Sequence, residues 1–391
     1  MPLSSEEPAG ELRNDANASF PPPVSLTDIA RIFLRLGSIG FGGPLAHIAL
    51  IQEEAVEKRG WLREAELLQG LALSQALPGP ASTQLAIYVG FRLRRYRGAV
   101  VSGCAFILPA FFLMLALSWL YFRFQAIPAV EELFYGVTPV VLAVILVSGY
   151  KLGKSVATDR MLLATVVVSG VLVALGALNI ILLFVLAGVF GILVYGPGRP
   201  PWGRWGSTSG MCLAAAPPAV LLQLAWFFLK VGALIYGGGL VIVPFIQQEV
   251  VNTLGWLTPK EFLDGLALGQ MTPGPVVITA TFIGYKVGSY WGAVVATAAI
   301  FLPSFLFIFL GAAYLEKIEH SPYVQAFLKP VNAAAVGAIL GAFFTLSYRA
   351  LLQPIPFALF ALAVLALMRY KISFIKVAAA GAAAGWVIQN I

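Results

Sequence analysis

Gly70-Leu71-Ala72-Leu73-Ser74-Gln75-Ala76-Leu77-Pro78-Gly79-Pro80 returns 195 residues later as Gly265-Leu266-Ala267-Leu268-Gly269-Gln270-Met271-Thr272-Pro273-Gly274-Pro275. The match extends outward from there. Gly60-Trp61-Leu62 pairs with Gly255-Trp256-Leu257 at the same offset, and Gly90, Gly98 and Pro109 pair with Gly284, Gly292 and Pro303 at an offset of 194. A single deletion over this length marks two copies of one folded unit, Leu36 to Pro109 and Val231 to Pro303. Duplicated helix breakers inside apolar segments are the pattern of a secondary transporter built from repeats.

The rest of the chain supports a lipid solvent. Of 391 residues, 59% are hydrophobic and 11% charged, and the mean hydropathy is +0.87. A soluble domain carries roughly 45–50% apolar and about 25% charged residues, so the apolar surface exceeds what one aqueous core buries. In lipid every backbone polar group needs an internal partner, which restricts the spans to helices or a closed barrel. The apolar runs lack the alternation of barrel strands. The expected fold is an all-α polytopic membrane protein with two homologous halves in inverted topology, about 10 spans (5+5), broken helices and re-entrant hairpins.

The net charge of +7 is not a nucleic-acid footprint, because the basic residues sit in short clusters between apolar runs. Cys104 and Cys212 have no partner spacing. His47 and His320 are isolated, so no metal is expected. Residues 1–25 are polar and read as a disordered tail, 26–195 as the first repeat, 196–216 as a Gly/Pro-rich linker and 217–391 as the second repeat. Each half opens on an apolar helix broken by glycine, at Gly40-Phe41-Gly42-Gly43-Pro44 and at Tyr236-Gly237-Gly238-Gly239. It is read as one broken span. The stretches flanking each Pro-Gly-Pro are each about 15 residues, or about 22 Å of helix, too short for a core of roughly 30 Å. They read as a hairpin that enters and leaves on one side. Four further runs complete each half, an odd number of crossings that inverts the second half. The cluster Arg92-Leu93-Arg94-Arg95-Tyr96-Arg97 reads as cytoplasmic and both termini as external.

Proline has no N–H and suits the first turn of a helix, and glycine lets a ligand approach the backbone. The helices restarting at Pro80 and Pro275 therefore offer free N–H groups and a positive dipole end to an anion at membrane depth. The candidate binding residues are Gly42, Gly43, Pro44, Pro78, Gly79 and Pro80 with Gly237, Gly238, Pro273, Gly274 and Pro275. Ser82, Thr83, Thr272 and Thr279 add hydroxyls. Gln75 and Gln270, a matched amide pair, add donors without charge or else tie broken ends together. Arg35 and Lys230, also matched, either offset an anion's charge or pair with a carboxylate. Glu54/Glu249 and Glu66/Glu261 are the candidates for proton coupling, or else interfacial ion pairs.

These paired motifs resemble the chromate ion transporter family in its long, two-domain form. The resemblance rests on Phe41-Gly42-Gly43-Pro44 with Tyr236-Gly237-Gly238-Gly239, the two Gly-Trp-Leu triplets and the two Gln-x-x-Pro-Gly-Pro segments, and it covers nearly the whole chain after residue 25. The family's motifs carry over to Gly42, Gly43, Pro44, Gln75, Pro78, Gly79 and Pro80, and to Gly237, Gly238, Gln270, Pro273, Gly274 and Pro275. Gly239 departs from the pattern where the first copy has Pro44. The resemblance implies export of chromate from the bacterial cytoplasm across the inner membrane, driven by the proton-motive force. Sulfate, similar in size, charge and shape, is the alternative or competing substrate, and an anion channel is the rival reading. No cofactor and no nucleic acid are expected. The expected partners are the oxyanion, membrane lipid and, as an assembly this reading allows, a second copy in a homodimer. No enzyme is expected, and no nucleotide motor either, since the chain lacks a G-x-x-x-x-G-K-[ST] phosphate loop. Glu53-Glu54-Ala55-Val56-Glu57 lacks the histidines of a membrane protease.

Overall fold

The computed structural model describes residues 24–41, 43–125, 127–196, 220–235, 239–319 and 321–390. The described residues are helical, with no strand among them. The first half comprises α1 (Leu26–Ile39), α2 (Pro44–Gln52) continued by a π-helical segment (Glu53–Lys58), α3 (Glu64–Ala76), α4 (Ala81–Phe124), α5 (Pro128–Val156), α6 (Arg160–Ala174) and α7 (Ile180–Tyr195). The second repeats the order: α8 (Val220–Leu234), the short α9 (Ile242–Phe245) with its own π segment (Ile246–Thr253), α10 (Pro259–Met271), α11 (Thr279–Glu319), α12 (Pro322–Ala350), α13 (Pro354–Met368) and α14 (Phe374–Gln389). Four described helices are long and apolar enough to cross a membrane, and five more are shorter and apolar. The molecule is an all-α polytopic membrane protein made of two repeated halves.

α4 is itself a hairpin. Arg94 and Arg95 leave helical geometry, and Arg95 has φ of 51°. The equivalent Ser289 has φ of 52° in α11. On either side of the bend the two arms cross at glycine: a Cβ on Gly90 would strike the Gly98 carbonyl, and one on Gly284 would strike that of Gly292. Ser102 then donates to the Ala86 carbonyl across the arms at 2.8 Å. A Gly98→Leu protein is expected to lose about 1–3 kcal/mol to overpacking. A thermal melt in detergent checks this.

The first arm of α4 packs back along α3, where Gly70 lies on the ring of Tyr88; in the second half Gly265 lies on Phe282. An ion pair closes the open end of each hairpin, Glu66 with Arg92 and Glu261 with Lys286. Both ends of the Pro-Gly-Pro hairpin therefore meet one face, as the arm lengths predict.

The first segment departs from the sequence reading. Arg94 Nε donates to the Val24 carbonyl at 2.7 Å, so α1 enters from the face that holds Arg92 and Glu66. Arg35 on α1 lies 3.7 Å from Glu54 on the π segment. A straight broken span would separate these two residues by more than 20 Å at about 1.5 Å per residue. α1 and α2 therefore form a second re-entrant hairpin. The length argument applied to the Pro-Gly-Pro arms holds for these arms too, since neither reaches across the core alone. Among the later elements of the first half, the second arm of α4 and α5 are long enough to cross, while α6 and α7 are shorter apolar helices of 15 and 16 residues.

The second half is inverted. Tyr121 and Phe122, at the far end of α4, contact Asp264 and Lys286 of the second hairpin. Its entry face is thus opposite to that of Arg92. The Asn390 side chain donates to Glu132 on this second face, so the described chain starts at one face and ends at the other. The expectation that both termini share a side involves residues 1–23. These and residues 197–219, which hold most of the expected tail and linker, lie outside the described residues.

Candidate functional site at the helix breaks

The two halves cross at their breaks. The Gly79 N–H donates to the Ile235 carbonyl at 2.6 Å, and the Gly274 N–H donates to the Gly40 carbonyl at 2.9 Å. Residues 79 and 274 are equivalent, as are 40 and 235, so each Pro-Gly-Pro glycine is tied to the broken first helix of the other repeat. Gly79 has φ of 133° and Gly274 of 101°, in the region that favours glycine. Ser304, of the second half, flanks Gly79, while the equivalent Ala110 of the first flanks Gly274. Matched breaks in an inverted repeat thus converge on one junction.

The junction is polar on one side only. After Pro80, α4 restarts as Ala81-Ser82-Thr83-Gln84 with no side-chain cap, which leaves its first-turn N–H groups without intrahelical acceptors. Thr83 and Gln84 are fully buried. Gln84 Nε2 donates to the Pro78 carbonyl at 2.6 Å and so braces the break. Thr83 Oγ1, Gln84 Oε1 and Ser304 Oγ are buried with no partner among the described residues. Leaving such atoms unpaired costs about 1–3 kcal/mol each; a bound oxyanion removes that cost for the Thr83 and Ser304 hydroxyls, which can donate, whereas the Gln84 amide oxygen only accepts and needs a donor such as water. In the second half the chain restarts as a 3₁₀ turn, Val276–Ile278, so Val276, Val277 and Ile278 replace Ser82, Thr83 and Gln84. Thr272 and Thr279 instead donate to their own chain, at Gly269 and Val276.

His47 is buried at this junction. Its Nε2 lies 2.7 Å from the Gly40 carbonyl and its Nδ1 3.2 Å from Ser82 Oγ. The imidazole therefore links the broken α1 to the first turn of α4. Sequence reading set His47 aside as isolated, and its repeat partner is Ile242. Gln84 and Ser304 were missed because repeat matching selects shared residues, and these three are not shared.

The remaining candidates fall in several places. Gln75 is exposed, while Gln270 is half-buried with its Nε2 unpartnered. Gly43 has φ of 81° and open space around it, and Pro44 begins α2. Gly42, Gly237 and Gly238 lie outside the described residues. Buried Glu54 is shared by Arg35, Lys58 and Arg59, at 3.7, 3.1 and 3.4 Å. Lys230 and Glu249 make no such pair among the described residues. Glu66 and Glu261 are the hairpin closures described above.

A family model described as chromate transporter matches residues 27–192 and again residues 222–386. The chain belongs to the chromate transporter family. Both repeats match the same model, the two-domain form of this family. A chromate transport protein of Cupriavidus metallidurans is 41% identical over 89% of this chain and 88% of its own length. One from Pseudomonas aeruginosa is 32% identical over 95% of this chain and 94% of its own. A probable chromate transport protein of Synechococcus elongatus is 38% identical over 84% and 86%. No solved structure matches. Membership of this family makes the chain a transporter.

Proposed function

We propose that the chain exports chromate from the bacterial cytoplasm across the inner membrane, by alternating access coupled to the proton-motive force. The observation that carries this reading is the crossed junction, where an uncapped helix end and the unpartnered buried hydroxyls of Thr83 and Ser304 meet between inverted repeats. Such a site suits a tetrahedral oxyanion, because backbone N–H groups and neutral side chains surround its oxygens without a fixed counter-charge. Arg35 and Lys230 supply positive potential on the approach. Gln270 adds an unpartnered amide donor to the candidate shell, and Gly42, Gly43, Gly237 and Gly238 stay candidates from the repeat match alone.

Direction follows from charge. Lys58, Arg59, Arg63, Arg92, Arg94, Arg95 and Arg97 gather at the face where the first-half hairpins open. The positive-inside rule makes that face cytoplasmic. An inside-negative potential then drives a departing dianion at about 2.3 kcal/mol per charge per 100 mV, and an incoming proton adds to the drive.

Labelled chromate uptake into everted vesicles tests the reading. Uptake is expected to require an energised membrane, to collapse with an uncoupler and to fall severalfold under excess sulfate. Uptake equal to that of vesicles lacking the protein would remove the chromate assignment. Currents far above carrier turnover would replace the carrier with a channel.

A further inference from the structure

The structure contains a buried carboxyl that repeat matching passes over, because its counterpart in the first half is Gln69. Asp264 sits in the middle of α10 and is 1% exposed. Its Oδ2 accepts from Tyr121 Oη at 2.7 Å, and its Oδ1 has no partner among the described residues. The surroundings are apolar: Tyr121 packs against Phe122, Phe134 and Phe282.

Most charged groups near Asp264 pair with one another or with polar side chains; Glu132 of α5 accepts from Asn390, while Arg123 of α4 and Lys376 of α14 make no ion pair among the described residues. On α10 itself, Lys260 pairs with Glu131 of α5 at 2.5 Å, and Glu261 pairs with Lys286 of α11 at 2.6 Å. Glu249, on the adjoining π segment, makes no ion pair among the described residues. Each of the two pairs is neutral, and neither cation is bonded to Asp264. An isolated carboxylate in such a place is costly, whereas the protonated acid keeps its Tyr121 bond and leaves only one neutral O–H unpartnered. The other candidates for proton coupling differ. Glu54, Glu66 and Glu261 each have a cation in contact, whose field favours the ionised form.

We infer that Asp264 is the proton-carrying residue of this transporter, loaded from the face opposite the arginine cluster. The inference rests on the proposed proton coupling and names the group that performs it. Glu261 and Lys286, one turn away at that face, border the entry. A pocket of about 650 Å³ lined by Phe122, Gln125, Tyr285 and Lys286 lies at the same end. α10 is one continuous helix that ends at Thr272-Pro273-Gly274-Pro275, so the carboxyl and the junction glycine are joined by about two turns of helix. Protonated Asp264 lets α10 seat in its dry aromatic surroundings. Ionised Asp264 must be hydrated, which draws α10 and with it Gly274 away from the Gly40 carbonyl. Proton loading outside and anion release at the junction then share one moving element.

The test is made in proteoliposomes containing the full chain, with chromate as probe. Two readouts are compared: uptake driven by an imposed pH gradient, and chromate–chromate exchange at equal pH. Asp264→Asn is expected to lose gradient-driven uptake at least about tenfold while keeping exchange within about twofold. Asp264→Glu is expected to restore part of the gradient response, and Tyr121→Phe to shift its pH midpoint. Gradient-driven uptake that survives in Asp264→Asn overturns the inference alone, leaving the coupling intact in wild type. Loss of both readouts in the Asn and Glu variants at normal protein level also overturns it, making Asp264 a packing residue. A wild type indifferent to the gradient overturns the coupling and the inference together.

Discussion

A Thr83→Val protein is expected to transport chromate about tenfold or more slowly than wild type while melting at the same temperature or higher. The two readouts move in opposite directions for one reason. Thr83 is fully buried and its hydroxyl has no partner, so replacing it with an isosteric methyl removes an unpaired polar atom and costs the fold nothing. If the hydroxyl instead donates to a bound oxyanion, valine deletes a hydrogen bond to a charged acceptor. Such bonds contribute about 1.5–3 kcal/mol, or roughly one to two orders of magnitude in affinity or rate. Thr83→Ser keeps the donor and is expected to retain most of the activity. A variant that loses stability and transport in parallel would place Thr83 in packing rather than at the anion. Initial-rate uptake, with a melt of the same purified protein in detergent, distinguishes the two.

The second large effect is expected at the crossed junction. Gly274→Ala should abolish transport and lower stability by about 1–3 kcal/mol for the backbone alone, since an L-residue at φ of 101° is strained. Its Cβ would also lie 2.8 Å from that of Ala110. The double variant Gly274→Ala with Ala110→Gly removes the contact but not the strain. It is expected to recover protein yield and part of the melting temperature, with transport still well below wild type. Full recovery of transport would mean that the conformation at 274 is incidental and only space matters there. Gly79→Ala, flanked by Ser304 and Gln84, should show the same loss. Its hydrogen bond to the Ile235 carbonyl makes it the mirror of Gly274 across the pseudo-two-fold axis.

Particular residues show how far the sequence could be read. The Pro-Gly-Pro triplets announced a hairpin because proline and glycine act on their own backbone, and the arm lengths fell short of the membrane. The same lengths in α1 and α2 went unused, because Gly40–Gly43 looks like a kink until the Arg35–Glu54 pair shows that the chain turns back. Matching the two copies raised shared residues such as Gln75 and Gln270, yet Gln75 is exposed. It passed over Gln84, Ser304, His47 and Asp264, where the copies diverge.

The lipid environment, the duplication and the positions of the breaks were determined by the sequence itself. Each depends on composition or on the local chemistry of Pro and Gly, which acts within a few residues of its own position. Tertiary structure alone decided that Gly79 meets Ile235, that His47 bridges Gly40 and Ser82, and that Tyr121 reaches Asp264. These contacts span from 7 to 156 residues of chain. No local pattern encodes them, because the packing of whole helices decides which carbonyl or carboxylate lies 3 Å away.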